Sequence, residues 1–230
     1  MALRRRKEEP EPAEVESAAV EPSAPPKTEP ARPDGPWDEA DYVAPEGEQR
    51  VDLGALRIAP IHGIDLQVQA DEDTGQVVLL TLSRPDGAVQ VQPFAAPRSG
   101  GLWDSVRGQI KSSINSGGGL VEEADGPFGV ELRAQVRATD GSTAMQPARF
   151  VGIDGPRWFL RAVFLGAAVK PGSCATTLEA AVRTIVVVRG TEAMPVGQPI
   201  PLRLPTTDAA PDGAPAPPTL SPFTRGPEIT

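Results

Sequence analysis

The chain has 230 residues, a net charge of −9, one cysteine and one histidine. That length holds one ordinary domain with tails; the lone Cys174 excludes an intrachain disulfide, and with the lone His62 it excludes the usual zinc spacings and a Cys/His nucleophile pair. The acidity sits in the ends, since residues 51–190 carry 13 basic and 14 acidic side chains, which argues against coating nucleic acid by bulk charge.

Residues 1–46 are rich in Pro, Glu and Ala and poor in apolar side chains, so they are expected to form a disordered acidic tail. The cluster Arg4, Arg5, Arg6 and Lys7 runs directly into Glu8 and Glu9 and reads as solvated. No apolar stretch follows it, and no window reaches the roughly 20 apolar residues of a membrane span, so a cytoplasmic protein is expected. Trp37 and Tyr42 stand in an acidic setting and are candidates for docking, on their own domain or on a partner.

A domain is expected over residues 50–190. Residues 65–70 alternate, with Leu66, Val68 and Ala70 against Gln67 and Gln69; residues 77–82 are apolar on both faces; residues 88–94 alternate Val89 and Val91 against Gln90 and Gln92. With turns at 71–75 and at Arg-Pro-Asp-Gly 84–87, these segments read as an antiparallel meander. Leu102, Val106, Ile110 and Ile114 recur at every fourth residue and predict a helix, with Ser99 as its cap, Asp104 in its first turn and Gly117, Gly118 and Gly119 as its stop. Trp103 lies beside that stripe and is expected to pack at the edge of the core.

Residues 120–125 form a further expected strand. The clearest alternation follows: Val130, Leu132, Ala134, Val136 and Ala138 face one way, Glu131, Arg133, Gln135 and Arg137 the other. Strands over 148–153 and 158–166 follow a turn at 139–142 and are separated by Asp-Gly-Pro-Arg. Thr176 with Glu179 fits a capping box for a second helix, which runs into the β-branched segment 185–188. Prolines 195, 199, 201 and 205 then space out Ile200, Leu202 and Leu204 in an extended segment, 191–205, laid along the domain. Residues 206–230 return to a disordered Ala/Pro-rich composition.

Three groups of residues carry possible chemistry. Arg133, Arg137, Arg149, Arg157 and Arg161, interleaved with Phe150, Trp158 and Phe159, are a candidate binding surface, set against the alternative of a solvated sheet face. Arg98, Ser99, Gly100 and Gly101 precede a helix and form a candidate anion site without the P-loop lysine. Glu122 and Glu123 are adjacent on a strand and point to opposite faces, a poor geometry for acid/base work. No catalytic, cofactor or metal constellation is assigned.

The strings GPWDEAD, FAAPRSGGLWD, GPFGVELRAQV, RFVGIDGPRWFLRAVFLG, VVVRG and PIPLRLP resemble the actinobacterial family catalogued as domain of unknown function 3710, over roughly residues 35–205. The resemblance implies no activity, ligand or catalytic residue. The order of elements is similar to a Mog1/PsbP-like arrangement, which fixes no function. The expectation is therefore a single α+β domain with an antiparallel sheet of six to eight strands and two helices on one face. It is expected to act without catalysis, as a binding or adaptor module for a protein, with single-stranded nucleic acid or a nucleotide on the arginine-aromatic strands as the alternative.

Overall fold

A computed structural model describes residues 34–70, 76–137 and 144–204. The expected disorder of residues 1–33 and 206–230 and the expected turns at 71–75 and 139–142 lie outside the described residues.

In chain order the elements are β1 (Trp37–Asp38), β2 (Val51–Asp52), β3 (Leu56–Ile58), β4 (Asp65–Ala70), β5 (Val77–Arg84), β6 (Gly87–Ala95), α1 (Leu102–Ser116), β7 (Leu120–Gly126), β8 (Gly129–Arg137), β9 (Met145–Gly155), β10 (Trp158–Gly166), a 3-10 turn (Ala167–Val169), α2 (Ser173–Arg183) and β11 (Val186–Val187). The molecule is α+β. Seven antiparallel strands form the main sheet in the order β4-β5-β6-β10-β9-β8-β7, and β1-β11-β3-β2 form a small second sheet. The main sheet is two meanders joined where β6 pairs with β10, Trp158 opposite Ala95 and Gly166 opposite Gly87. α1 makes the crossover, carrying the chain from β6, third in that order, to the far edge at β7.

Alternation and register divide the main sheet into two faces. On one face Leu80, Leu82, Val89, Val91, Val151, Ile153, Leu160 and Phe164 join the large core with Leu53, Leu56 and Ile58 of the small sheet and Leu178, Ala181 and Val182 of α2. On the other, Leu132, Phe150 and Phe159 pack with Leu102, Trp103, Val106 and Ile110 of α1. The helices therefore lie on opposite faces, not on one. The reason is legible in β9 and β10, which are apolar on both sides, as in Phe150-Val151 and Phe159-Leu160, and so need a cover on each.

α1 contacts β7, β8 and β9, whereas α2 contacts β5 and β6. Among the described residues no helix covers β4 to β6 on the α1 side, whereas on the α2 side Glu179 of α2 reaches Arg149 of β9 and Arg183 reaches Pro127 O at the β7–β8 turn.

Several boundaries differ from the sequence expectation. α2 begins at Ser173, one turn before Thr176. Thr176 Oγ1 donates to Gly172 O at 3.0 Å, and Glu179 turns to Arg149 instead of back to the helix start. The helix ends at Arg183 and residues 186–187 become β11, since Val187 is fully buried and two β-branched residues pair directly with Leu56 and Arg57. In the extended segment Ile200 and Leu202 are buried, and their amides donate to Pro93 O and Val77 O; Leu204 is 58% exposed and makes no such anchor. Arg203 N donates to Leu53 O at 2.8 Å, so this strap ties the large sheet to the small one.

Candidate functional site

The arginines singled out by the sequence do not share a surface. Arg133 pairs directly with Arg149 across β8 and β9, on the α2 side of the sheet, and Arg137 follows on the same side, exposed. Arg161 sits between Gln92 and Gly152 in its row, on the α1 side. Arg157 lies in the two-residue β9–β10 turn with φ 62°, where its carbonyl accepts from Ala96 N at 2.9 Å and Arg189 Nε at 3.1 Å. Trp158 is 2% exposed and its Nε1 donates to Asp38 Oδ2 at 2.7 Å, so its ring is a core element and not a stacking platform.

Arg149 is structural. Its Nη1 lies 3.5 Å from Glu131 Oε2, its Nη2 lies 2.7 Å from Glu179 Oε1 without aligned hydrogen-bond geometry, and its guanidinium stacks 4.0 Å over the Phe164 ring. Glu131, expected on the solvated row of β8, is 1% exposed and also receives Arg133 Nε at 3.1 Å. Two acids and two arginines thus converge and neutralise one another, with Glu131 and Arg149 buried and Arg133 at the solvent edge. Such a cluster offers no open position for a reacting group.

The candidate anion site is already filled. Gly101 is the N-cap of α1 in the left-handed conformation, and Ser99 does not cap. Asp154 of β9 supplies the anion instead: its Oδ1 accepts from Leu102 N at 3.0 Å, and both oxygens lie 3.3 Å from Trp103 N. Free amides at a positive helix end attract a carboxylate, and the fold delivers one from within. Arg98 and Ser99 remain exposed, and Gly100 N closes a turn to Pro97 O.

Trp37 and Tyr42 dock in cis. Residues 34–46, placed in the tail by composition, carry β1, which pairs in parallel with β11, and Trp37 N donates to Ile185 O at 2.9 Å. Tyr42 lies 6.1 Å from the Trp37 ring centroid, under the Arg50 guanidinium at 4.4 Å. Tyr42 also donates its hydroxyl to Glu48, and Arg50 donates to Thr184 O. Burial first, then the Glu48 bond, pushes the Tyr42 hydroxyl above its ordinary pKa.

What remains is the helix-free half of the α1 face. Gln67, Thr81, Gln90 and Val163 form one continuous row across β4, β5, β6 and β10, and Gln92 and Arg161 form the next. All six are half-buried by their neighbours. Arg161 Nη2 donates to Gln92 Oε1 at 2.6 Å, and its guanidinium lies 5.1 Å from the Phe94 ring centroid. Burial alone lowers its pKa from the ordinary arginine value. No ion pair to it occurs among the described residues, in contrast with Arg149, Arg107 and Arg50. None of its nitrogens is both sealed and unpartnered, so those not bonded to Gln92 still reach solvent. This is a desolvated cation held by a neutral amide, with donors to spare.

The matching family covers residues 35–210 and is described as a protein of unknown function, DUF3710. The chain belongs to the DUF3710 family. No curated protein and no solved structure matches this DUF3710 chain. Among its described residues no three of His, Cys, Asp or Glu gather as metal ligands, and no helix is long and apolar enough to cross a membrane. Beside α2 an apolar pocket of about 80 Å³ is lined by Val51, Ile58, Pro60, Ile61, Ile64 and Leu66. That is well below the roughly 300–1,000 Å³ of pockets that enclose a small molecule. Cys174 is buried, and burial, then the bond to Asp86, pushes its thiol pKa up, away from a reactive thiolate.

The open half was partly visible in the sequence as Gln67/Gln69 and Gln90/Gln92 alternating with core residues, and as a single charge, Arg161, inside an apolar strand. Their assembly was not visible, because it depends on β10 pairing with β6 and not with a sequence neighbour alone.

Proposed function

We propose that this DUF3710 protein is a non-enzymatic binding or adaptor module, and that the helix-free half of the sheet over β4, β5, β6 and β10 receives a protein partner. The observation that carries the reading is Arg161. Keeping a guanidinium half-buried without a counter-charge costs stability, and a sheet face that served only packing would be met more cheaply by an apolar side chain. An amide-lined, half-buried plane of strands also suits an extended chain, whose backbone groups need both donors and acceptors. A reducing, cytoplasmic setting is part of the proposal and rests on the sealed lone thiol.

The alternative, single-stranded nucleic acid on the arginine-aromatic strands, required the arginines to converge; they are divided between two faces, and Trp158 and Phe159 are buried. The test is capture with the full-length chain against the same chain carrying Gln90→Trp, which inserts a bulky ring and no charge in the open row. The expected result is at least one protein retained by the parent and lost with the variant; identical recoveries from both would refute the reading.

A further inference from the structure

We infer that the open half of the sheet recognises an extended acidic peptide, one of whose Asp or Glu carboxylates is taken by Arg161. The inference rests on the binding-module reading above and names the chemistry of the partner.

The charge balance selects a carboxylate. Arg161 is the one cation in the two rows Gln67-Thr81-Gln90-Val163 and Gln92-Arg161-Gly152, and the other members are neutral. One carboxylate matches one guanidinium. A phosphoryl group carries about −1.5 to −2 at neutral pH and would leave roughly a full charge unmatched on a desolvated surface. Two acids on the same face are committed elsewhere: Asp154 caps α1, and Glu123 holds Lys111 at 2.8 Å and Arg107 at 3.5 Å.

The geometry favours the same ligand. Gln92 accepts from Nη2, and Phe94 lies beneath the guanidinium, so the plane of the fork is fixed before anything binds. A preset planar fork with free N–H groups matches a carboxylate in two parallel hydrogen bonds. On the neighbouring row Gln67, Thr81 and Gln90 present amides and a hydroxyl at the spacing of adjacent strands, roughly 4.8 Å. These groups can satisfy the backbone of a peptide lying across them, and they carry no charge that would repel an acidic sequence.

The contrast with Arg149 gives the experiment its control. Arg149 has two carboxylates of its own, and its removal leaves Glu179 unpaired and Glu131 with Arg133 alone; Arg161 has none, so Arg161→Gln relieves an uncompensated charge. The Tm of Arg161→Gln is therefore expected to equal or exceed that of the parent.

The probe is a fluorescein-labelled octapeptide of alternating Glu and Thr with blocked termini, compared with its Gln-Thr counterpart by fluorescence anisotropy on the full-length chain. The parent is expected to prefer the Glu-Thr peptide by about tenfold or more, the scale of one charge-assisted bidentate contact. Arg161→Gln is expected to erase the preference, and Arg161→Lys to restore only part of it, since lysine keeps the charge and loses the fork. The inference is overturned if the parent binds neither peptide, if it binds both equally, if Arg161→Gln keeps the preference, or if inorganic phosphate displaces the peptide at equal concentration. Equal binding of both peptides that Gln90→Trp abolishes would sink the carboxylate assignment and leave the binding-module reading standing. If Arg161→Gln fails to fold, the Arg161 Nε–Hε resonance of the parent decides: a shift with the Glu-Thr peptide alone supports the inference, and no shift overturns it.

Discussion

At the scale of single residues, Gly152 and Arg149 show how tightly the interior is specified. A Cβ on Gly152 would stand 2.2 Å from Trp103 Cδ2, inside the ring that stacks on Phe159 at 6.0 Å. The Trp103 Nε1 bond to Val130 O, 2.7 Å, prevents the ring from backing away. Gly152→Ala is therefore expected to destabilise the domain by about 1–3 kcal/mol through overpacking, read as a lower denaturation midpoint with a changed tryptophan emission. Arg149→Met leaves Glu131 and Glu179 short of their shared cation, and the expected cost is about 3–5 kcal/mol. Pairing it with Glu131→Leu removes one stranded carboxylate, and a double-mutant cycle by chemical denaturation is expected to recover part of that loss; strict additivity of the two substitutions would show that the two groups are not coupled.

At the scale of elements, α1 is the case where local signals and tertiary contacts diverge. Its apolar spacing and its glycine stop are local, and the helix runs over Leu102–Ser116 as that period requires. Its cap is not local, because Asp154 reaches it from β9. Asp154→Ala is expected to lower stability by about 1–2 kcal/mol, and amide exchange is expected to quicken first in the opening turn of α1. Ser99→Ala is expected to change neither. The same distinction governs residues 34–46: their composition reads as a tail, but β1 gains its partners from β11, nearly 150 positions later in the chain, and Trp158 secures it through Asp38.

At the scale of the whole molecule, charge acts through exposed pairs around the edges of the sheets. Lys111 bonds Glu123, and Arg50 then Tyr42 bond Glu48; these hydrogen bonds hold both carboxyls below the ordinary glutamate value of 4.5. A depressed folded pKa contributes stability that is present above the unfolded pKa and is lost as the pH falls through the folded one. Thermal midpoints are therefore expected to hold between about pH 6 and 8 and to fall below about pH 4.5. Glu123→Gln should soften that acid limb, and salt should weaken the effect, because both pairs are exposed to solvent.

The sequence by itself determined what depends on neighbours in the chain: the strands β4 to β6, the helix period of α1, the alternation of β8, and the family, since long continuous strings carry it. Tertiary structure alone decided which β-strands meet, which face each helix covers, and which polar groups find partners. Glu131 looked solvated because alternation reports a side and not what lies above it; the β8–β9 pairing brought Arg149 there and the packing of α2 added Glu179. Arg161 looked like one of five equivalent arginines because charge and spacing are alike in all of them; the pairing of β10 with β6 and β9 left it alone among glutamines. Local patterns fix conformation through short-range sterics and hydrogen bonding, whereas the electrostatic environment of a side chain is set by groups far away in sequence, and only the folded chain brings those together.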